Sequence, residues 1–230
     1  MGSANVKVII PAFNEENAVG KVIRDIPKEL VSEVIVVNNA STDQTEIAAR
    51  SNGATVLDER RKGYGYACLR GIDYLLNHET NTDVVVFLDA DYSDHPEEMT
   101  KLITPIVLEA QDLVIGSRSM GRPDKGSMTI PQVFGNWLAT TLLNILYGAN
   151  FTDLGPFRAI RYQSLLALDM KDTTYGWTVE MQLKAAKQKL RCLEVPVSYR
   201  VRIGKSKISG TIKGTVMAGY KILWTIFKYL

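Results

Sequence analysis

Histidine and cysteine are scarce in this chain of 230 residues, which has two of each. Cys68 and Cys192 lie far apart inside apolar patterns. They read as buried, reduced thiols rather than as a disulfide framework. With His78 and His95 the only histidines, no Cys/His metal cluster can be assembled. Excess charge is missing too. The formal net charge is +2, and no long basic run suits nucleic acid. The N-terminus has no basic, apolar, small-residue signal pattern and enters a strand almost at once, which points to the cytoplasm. Neither G-x-G-x-x-G nor G-x-x-x-x-G-K-[ST] occurs, which argues against a dinucleotide-binding fold and a P-loop. No internal repeat or low-complexity segment is present.

What is present is an ordinary globular composition, 46% apolar and 23% charged, of a length that suits one large domain, or one domain with an appendage. The pattern alternates. Strands are predicted at Val6–Ile10, Glu33–Val37, Ala54–Leu57, Asp83–Leu88 and Asp112–Ile115. Helices are predicted between them at Glu15–Leu30, Asp43–Asn52, Gly65–Asn77 and Pro96–Glu109. This is the signature of an α/β, doubly wound, mostly parallel sheet. After residue 117 the rhythm changes. Gly121–Ile130 reads as a mobile loop, a candidate lid with Arg122 and Lys125 on it. Helices follow over Val133–Tyr147 and Thr178–Lys189, with a strand at Cys192–Tyr199 and a last helix over Thr211–Leu230.

The most informative stretch is Val84-Val-Val-Phe-Leu-Asp-Ala-Asp91. A short, β-branched apolar run ends abruptly in two carboxylates. The run reads as a buried parallel strand, and open α/β sheets bind ligands at strand carboxyl ends. Side chains two apart on extended chain point the same way. Asp89 and Asp91 therefore suit a hard cation, Mg²⁺ or Mn²⁺, held together with a substrate's phosphates. An isolated Asp-x-Asp can equally cap the next helix. The other strand ends add acids, cations, amides and aromatics to one crevice, a set that fits a nucleotide diphosphate with a divalent cation.

These stretches resemble family 2 glycosyltransferases of the GT-A fold, and within them the dolichyl- and polyprenyl-phosphate mannose or glucose synthases. The matching segments are Pro11-Ala-Phe-Asn-Glu-Glu16, Asn38-Asn-Ala-Ser-Thr-Asp43, Lys62-Gly-Tyr-Gly65, Asp89-Ala-Asp91, Gly116-Ser-Arg118, Asp153-Leu-Gly-Pro-Phe-Arg158, Trp177-Thr-Val-Glu-Met-Gln182 and Tyr199 through Thr211. The resemblance implies a GT-A domain over 1–210, with a nucleotide-sugar half to 118 and an acceptor half after it, and a C-terminal amphipathic helix over 211–230. It implies that Pro11, Ala12, Phe13 and Glu15 hold the nucleoside, with Asn38, Asp43, Lys62 and Gly63 nearby. Asn38 stands where many members have an acid, which leaves uridine or guanosine open. Asp89, Asp91 and, more weakly, Ser93 would hold Mg²⁺ or Mn²⁺. Arg118, Arg200, Arg202 and Lys207 would neutralise phosphates, and Asp153 and Arg158 would face the acceptor. Glu180 would be the base if the acceptor were a hydroxyl.

The implied activity is inverting transfer of a hexose from GDP-mannose or UDP-glucose to a polyprenyl phosphate. The alternatives are transfer to a sugar hydroxyl in polysaccharide synthesis and a non-catalytic nucleotide-sugar-binding protein. The last helix bears on the acceptor. Ile212, Val216, Tyr220, Leu223, Phe227 and Leu230 share one side of the wheel and Lys213, Lys221 and Lys228 the other. That pattern suits a helix lying on the cytoplasmic face of a membrane, or one packed on its own domain or a twin subunit. A spanning helix is disfavoured by Lys221 at its centre. The oligomeric state is not readable.

Overall fold

A computed structural model describes residues 4–78, 81–204, 206 and 212–230, the side chains of Ile212 and Lys213 excepted. The elements run β1 (Val6–Ala12), α1 (Val19–Asp25), β2 (Glu33–Asn38), α2 (Thr45–Ser51), β3 (Thr55–Asp58), α3 (Tyr64–Asn77), β4 (Val84–Phe87) and α4 (Met99–Leu108). They continue with β5 (Leu113–Pro123), α5 (Ile130–Tyr147), β6 (Arg158–Arg161), α6 (Tyr162–Leu168), α7 (Trp177–Lys187), β7 (Cys192–Tyr199) and α8 (Ile212–Lys228). The strands form one sheet in the order β3-β2-β1-β4-β6-β5-β7. All neighbours pair in parallel except β6, which runs antiparallel between β4 and β5.

The central strands are apolar without alternation because both faces are covered. In β4, Val84 and Val86 pack with Val8, Ile10 and the apolar stripes of α1 and α4. Val85 and Phe87 point the other way, toward α3, α7 and the inner side of α5. Phe87 meets Trp177, the first residue of α7, edge to face at 5.8 Å between ring centres. That contact fixes the start of α7 against the strand that carries the aspartates.

Several predicted boundaries move. The helix predicted at Glu15–Leu30 is only Val19–Asp25, because Asn14, Glu15 and Glu16 are taken up in loop contacts with Ser41, Thr45 and Asp43. The predicted loop Gly121–Ile130 is strand at its start and helix at its last residue. Residues to Pro123 extend β5 beyond a bulge and pair with Ser198 and Tyr199 of β7. Thr129 then closes a capping box with Gln132 and starts α5 at Ile130. Two elements went unpredicted, β6 and α6. Cys68 is buried as expected, whereas Cys192 is half-buried.

The C-terminal helix α8 packs on its own domain. Thr225 and Ile226 are buried, the Tyr147 hydroxyl donates to the Ile226 carbonyl, and Lys221 pairs with Asp172 at 3.0 Å. The predicted apolar side of its wheel, Val216, Tyr220, Phe227 and Leu230, is turned outward and exposed.

One close approach sets the width of the crevice described below. A Cβ on Gly65 would stand 2.1 Å from the Asp172 carbonyl oxygen and 2.7 Å from the Thr173 backbone. The N-terminus of α3 can therefore lie on the 172–173 backbone, where the Tyr66 N–H donates to the Thr173 carbonyl. Gly65→Ala forces these backbones apart and costs about 1–3 kcal/mol by the usual scale of overpacking. Urea unfolding measures it, and an unchanged midpoint would show that the 172–173 loop yields without cost.

Candidate functional site

β1, β2 and β4 end at one edge of the sheet, and the loops beyond them surround a cavity of about 310 Å³. Its size is that of a small-molecule pocket. Pro11, Ala12, Phe13 and Glu15 form one wall, Lys62, Gly63 and Tyr64 another, and Asp89, Ala90 and Asp91 the floor. Thr174, Tyr175, Arg202 and Ser206 close the remaining side.

Loop-to-loop bonds hold the walls. The β1 loop turns at Asn14, whose φ of 54° is left-handed, a conformation Asn tolerates better than most residues. The Asn14 carboxamide oxygen accepts the Thr42 N–H, and its own N–H donates to the Ser41 hydroxyl. Asn39 accepts the Gly63 N–H at 2.8 Å and donates to the Arg61 carbonyl, tying the second wall to the first. Lys62 lies over the Phe13 ring, 5.0 Å from its centre.

The floor is electrostatically costly. Burial and the Asp91 charge push the Asp89 carboxyl up to about 7, and its Oδ1 is buried with no hydrogen-bond partner. Asp91 is better served. Its Oδ1 accepts the Ser93 N–H and hydroxyl, and its Oδ2 meets Arg202 Nη1 at 2.9 Å. The other arm of Arg202 reaches Glu15 at 2.7 Å. Asp94 is a third acid behind the pair. Both its oxygens lack hydrogen-bond partners, and burial together with the charges of Asp89 and Asp91 pushes its carboxyl well up.

A divalent cation fits this floor. Asp89 offers an unsatisfied carboxylate oxygen, and Asp91 offers the oxygen that Arg202 now holds. Among the described residues no group of three or more His, Cys, Asp or Glu side chains is arranged to hold a metal. Two aspartates would therefore share the ion with a substrate's phosphates, as Mg²⁺ sites commonly do.

The structure divides the residues singled out from the sequence. Pro11, Ala12, Phe13, Glu15, Lys62, Gly63, Asp89, Asp91 and Arg202 line the cavity together. The others named here do not line it. Asn38 donates to Asp58 and accepts from the Ser41 N–H, and Asp43 caps α2 through Thr45. The Ser93 hydroxyl donates to Asp91.

On the acceptor side the corrections are larger. Asp153 is fully buried and grips Arg118 through two side-chain bonds of 2.6 and 2.9 Å. Arg158 is equally buried and spends its guanidinium on the carbonyls of Leu154, Gly155 and Thr178, with burial pulling its pKa down to about 10. Arg200 stacks 3.5 Å from the centre of the Tyr92 ring and donates to the Tyr92 and Asp94 carbonyls. Glu180, the expected base for a hydroxyl acceptor, does not line the cavity. It is fully buried, accepts the N–H groups of Lys171 and Asp172 and the Tyr229 hydroxyl, and pairs with Lys184. Lys207 lies outside the described residues.

Sequence reasoning missed Asn39, Tyr64, Ala90, Thr174, Tyr175 and Ser206 as lining residues. Asn39, Tyr64, Ala90 and Ser206 sit inside segments already singled out, so their neighbours were the signal. Thr174 and Tyr175 belong to a loop that carried none.

Comparison with known proteins agrees with this geometry. The model of the glycosyl transferase family 2 matches residues 7–168. The chain belongs to that family. An undecaprenyl-phosphate mannosyltransferase of Micrococcus luteus is 33% identical, over 91% of this chain and 89% of its own length. A dolichyl-phosphate hexose transferase of Haloferax volcanii is 30% identical, over 89% of this chain and 86% of its own. The fold is GT-A. It matches glucosyl-3-phosphoglycerate synthase of Mycobacterium tuberculosis, in complex with Mn²⁺, UDP and phosphoglyceric acid, with a TM-score of 0.75 and 24% identity over 98% of this chain and 78% of that one.

Arg202 and a divalent cation would compete for the same Asp91 oxygen, which gives a binding prediction. Arg202→Met tightens Mn²⁺ binding to the nucleotide-free protein by roughly tenfold or more, the scale of one lost charge-assisted bond. Asp91→Ala abolishes Mn²⁺ binding. Titration calorimetry reads both, and unchanged Mn²⁺ affinity in both variants rules the two-aspartate site out.

Proposed function

We propose that this glycosyltransferase moves a hexose from a nucleotide sugar, GDP-mannose or UDP-glucose, to the phosphate of a polyprenyl lipid, with inversion and with Mg²⁺ or Mn²⁺ bound. The observation that carries the acceptor class is the absence, among the described residues, of a placed base. Of the residues lining the crevice, three are acids. Glu15 and Asp91 are both paired with Arg202, and Asp89 stands beside Asp91 where the cation fits. Glu180, the acid a hydroxyl acceptor would have used, is walled off inside its own bonds. A lipid phosphate is already ionised at neutral pH and needs no base. The names of the Micrococcus and Haloferax relatives support the same acceptor class.

The reaction divides among the residues as follows. Phe13 and the Pro11–Ala12 backbone present a flat apolar wall for the base ring, and Lys62 stands beside it for a phosphate. A divalent cation on Asp89 and Asp91 would supply charge neutralisation for the departing diphosphate. An acceptor phosphate oxygen attacks the anomeric carbon, the bond from that carbon to the diphosphate oxygen breaks, and the nucleoside diphosphate leaves. Arg202 hands its charge from Glu15 and Asp91 to the phosphates as they arrive, which is where negative charge develops.

Arg202→Ala lowers turnover roughly 10- to 100-fold, the scale of a charge-assisted hydrogen bond to phosphate. Glu180→Gln lowers thermal stability while changing turnover by no more than about tenfold, against the 10²–10⁴ that removal of a general base costs. The decisive measurement is nucleotide release from UDP- and GDP-sugars with polyprenyl phosphate and with the free polyprenol of the same length. Release with the phosphate alone is expected. Equal release with the alcohol, or a larger loss from Glu180→Gln than from Arg202→Ala, overturns the lipid-phosphate reading.

A further inference from the structure

Helix α8 buries little of itself. Of its described side chains only Thr225 and Ile226 are buried. Its polar inner edge, together with the residue that follows it, nevertheless meets one loop, 171–176. Lys221 Nζ pairs with Asp172 Oδ2 at 3.0 Å. A Cβ on Gly176 would stand 2.5 Å from the Thr225 hydroxyl oxygen and equally close to Asp172 Oδ2, so the helix lies directly on the turn. The Tyr229 hydroxyl donates to Glu180, which accepts the N–H groups of Lys171 and Asp172. The four-residue spacing of Lys221, Thr225 and Tyr229 lines them along one side, and all three converge on the same short loop.

The loop held this way carries Thr174 and Tyr175 into the crevice. Its shape depends on Asp172. One carboxylate oxygen accepts the N–H groups of Thr174 and Gly176 at 2.8 and 3.1 Å, and Lys221 neutralises the other. Asp172 is buried, and a buried carboxylate that loses its cation turns toward water and gives up the turn it holds. The opposite wall is braced independently. Helix α3 touches the loop where the Tyr66 N–H donates to the Thr173 carbonyl. The stretch at Lys62 and Gly63, however, is also tied to β2 by Asn39, which accepts the Gly63 N–H and donates to the Arg61 carbonyl. Loosening the loop therefore shifts the side that carries Thr174 and Tyr175 and spares the wall of Phe13 and Lys62.

We infer that Lys221, Thr225 and Tyr229 are positioning residues for the acceptor side of the crevice: through Asp172, Gly176 and Glu180 they set where Thr174 and Tyr175 stand. Giving that side to the acceptor rests on the proposed function, in which the nucleotide takes Phe13, Lys62 and the aspartates. The brace itself rests only on the contacts.

Hydrogen exchange of the full chain, read by mass spectrometry on peptides spanning 171–176, tests the brace without any substrate. Lys221→Met should speed exchange there roughly tenfold or more, the scale of one lost charge-assisted bond, and Lys221→Arg should restore it. Tyr229→Phe, which keeps the ring and removes the bond to Glu180, should speed exchange in the same peptides. In transfer assays Lys221→Met should raise the KM for polyprenyl phosphate roughly tenfold, while affinity for nucleoside diphosphate with Mn²⁺ stays within about twofold. A general loss of structure would move both. Unchanged exchange in both variants overturns the inference. So does failure of the arginine rescue, or a loss of nucleotide affinity as large as the rise in acceptor KM. A parent chain that transfers nothing to polyprenyl phosphate removes the acceptor class instead, and the exchange data still judge the brace.

Discussion

Buried negative charge at the end of β4 is the constraint around which this molecule is arranged. A strand covered on both faces delivers Asp89 and Asp91 into a site where ionised groups are expensive unless neutralised. Compensation is local and incomplete. Asp91 has the Ser93 N–H and hydroxyl on one oxygen and Arg202 on the other. Asp89 keeps an oxygen with no partner, and Asp94 adds a further unpartnered carboxyl behind it. A folded protein holds such a deficit when a ligand relieves it. A cation held by these carboxylates would in turn attract a diphosphate, before any specificity contact is made.

The arginines show where residue type stops predicting role. The family resemblance offered four cations for phosphates, Arg118, Arg200, Arg202 and Lys207, and put Arg158 at the acceptor. The structure leaves Arg202 facing the crevice, with Lys207 outside the described residues. Arg118 is locked to Asp153 and lies over the Tyr199 ring, Arg158 serves three backbone carbonyls, and Arg200 serves two and stacks on Tyr92. The guanidinium carries five donors in a fixed fork, so it braces loops as readily as it binds anions. Nothing in a linear sequence separates the two uses, because the partner carbonyls come from loops far away along the chain. Glu180 carries the same lesson for acids. Its partners at 171, 172 and 229 become visible only after α8 has packed.

The first half of the fold was legible because its strands are buried on both sides and its helices on one, so the pattern alone marked them. The second half was harder for identifiable reasons. β6 is four residues, Arg158-Ala-Ile-Arg161, with charges at both ends, and its antiparallel insertion depends on pairing to β4 and β5 rather than on its own pattern. The outer part of β5 is exposed and contains Gly121 and Pro123, the composition of a loop, yet it extends the sheet because β7 offers it a partner. The site followed the same division. Residues that end the parallel strands were readable from position, as with Phe13 and Asp89. Thr174 and Tyr175 reach the crevice only through the close approach at Gly65.

The C-terminal stretch draws these threads together. After Glu194 the chain carries cations and no acid. Its first part crosses the floor of the crevice. The Arg200 N–H donates to the Ser93 carbonyl, the Ile203 N–H donates to the Asp91 carbonyl, and Arg202 neutralises Asp91 and Glu15. Its last part is α8, with an apolar outer arc and Lys221 tied to the loop beside the crevice. An acid introduced near the floor would add to a charge deficit already uncompensated at Asp89.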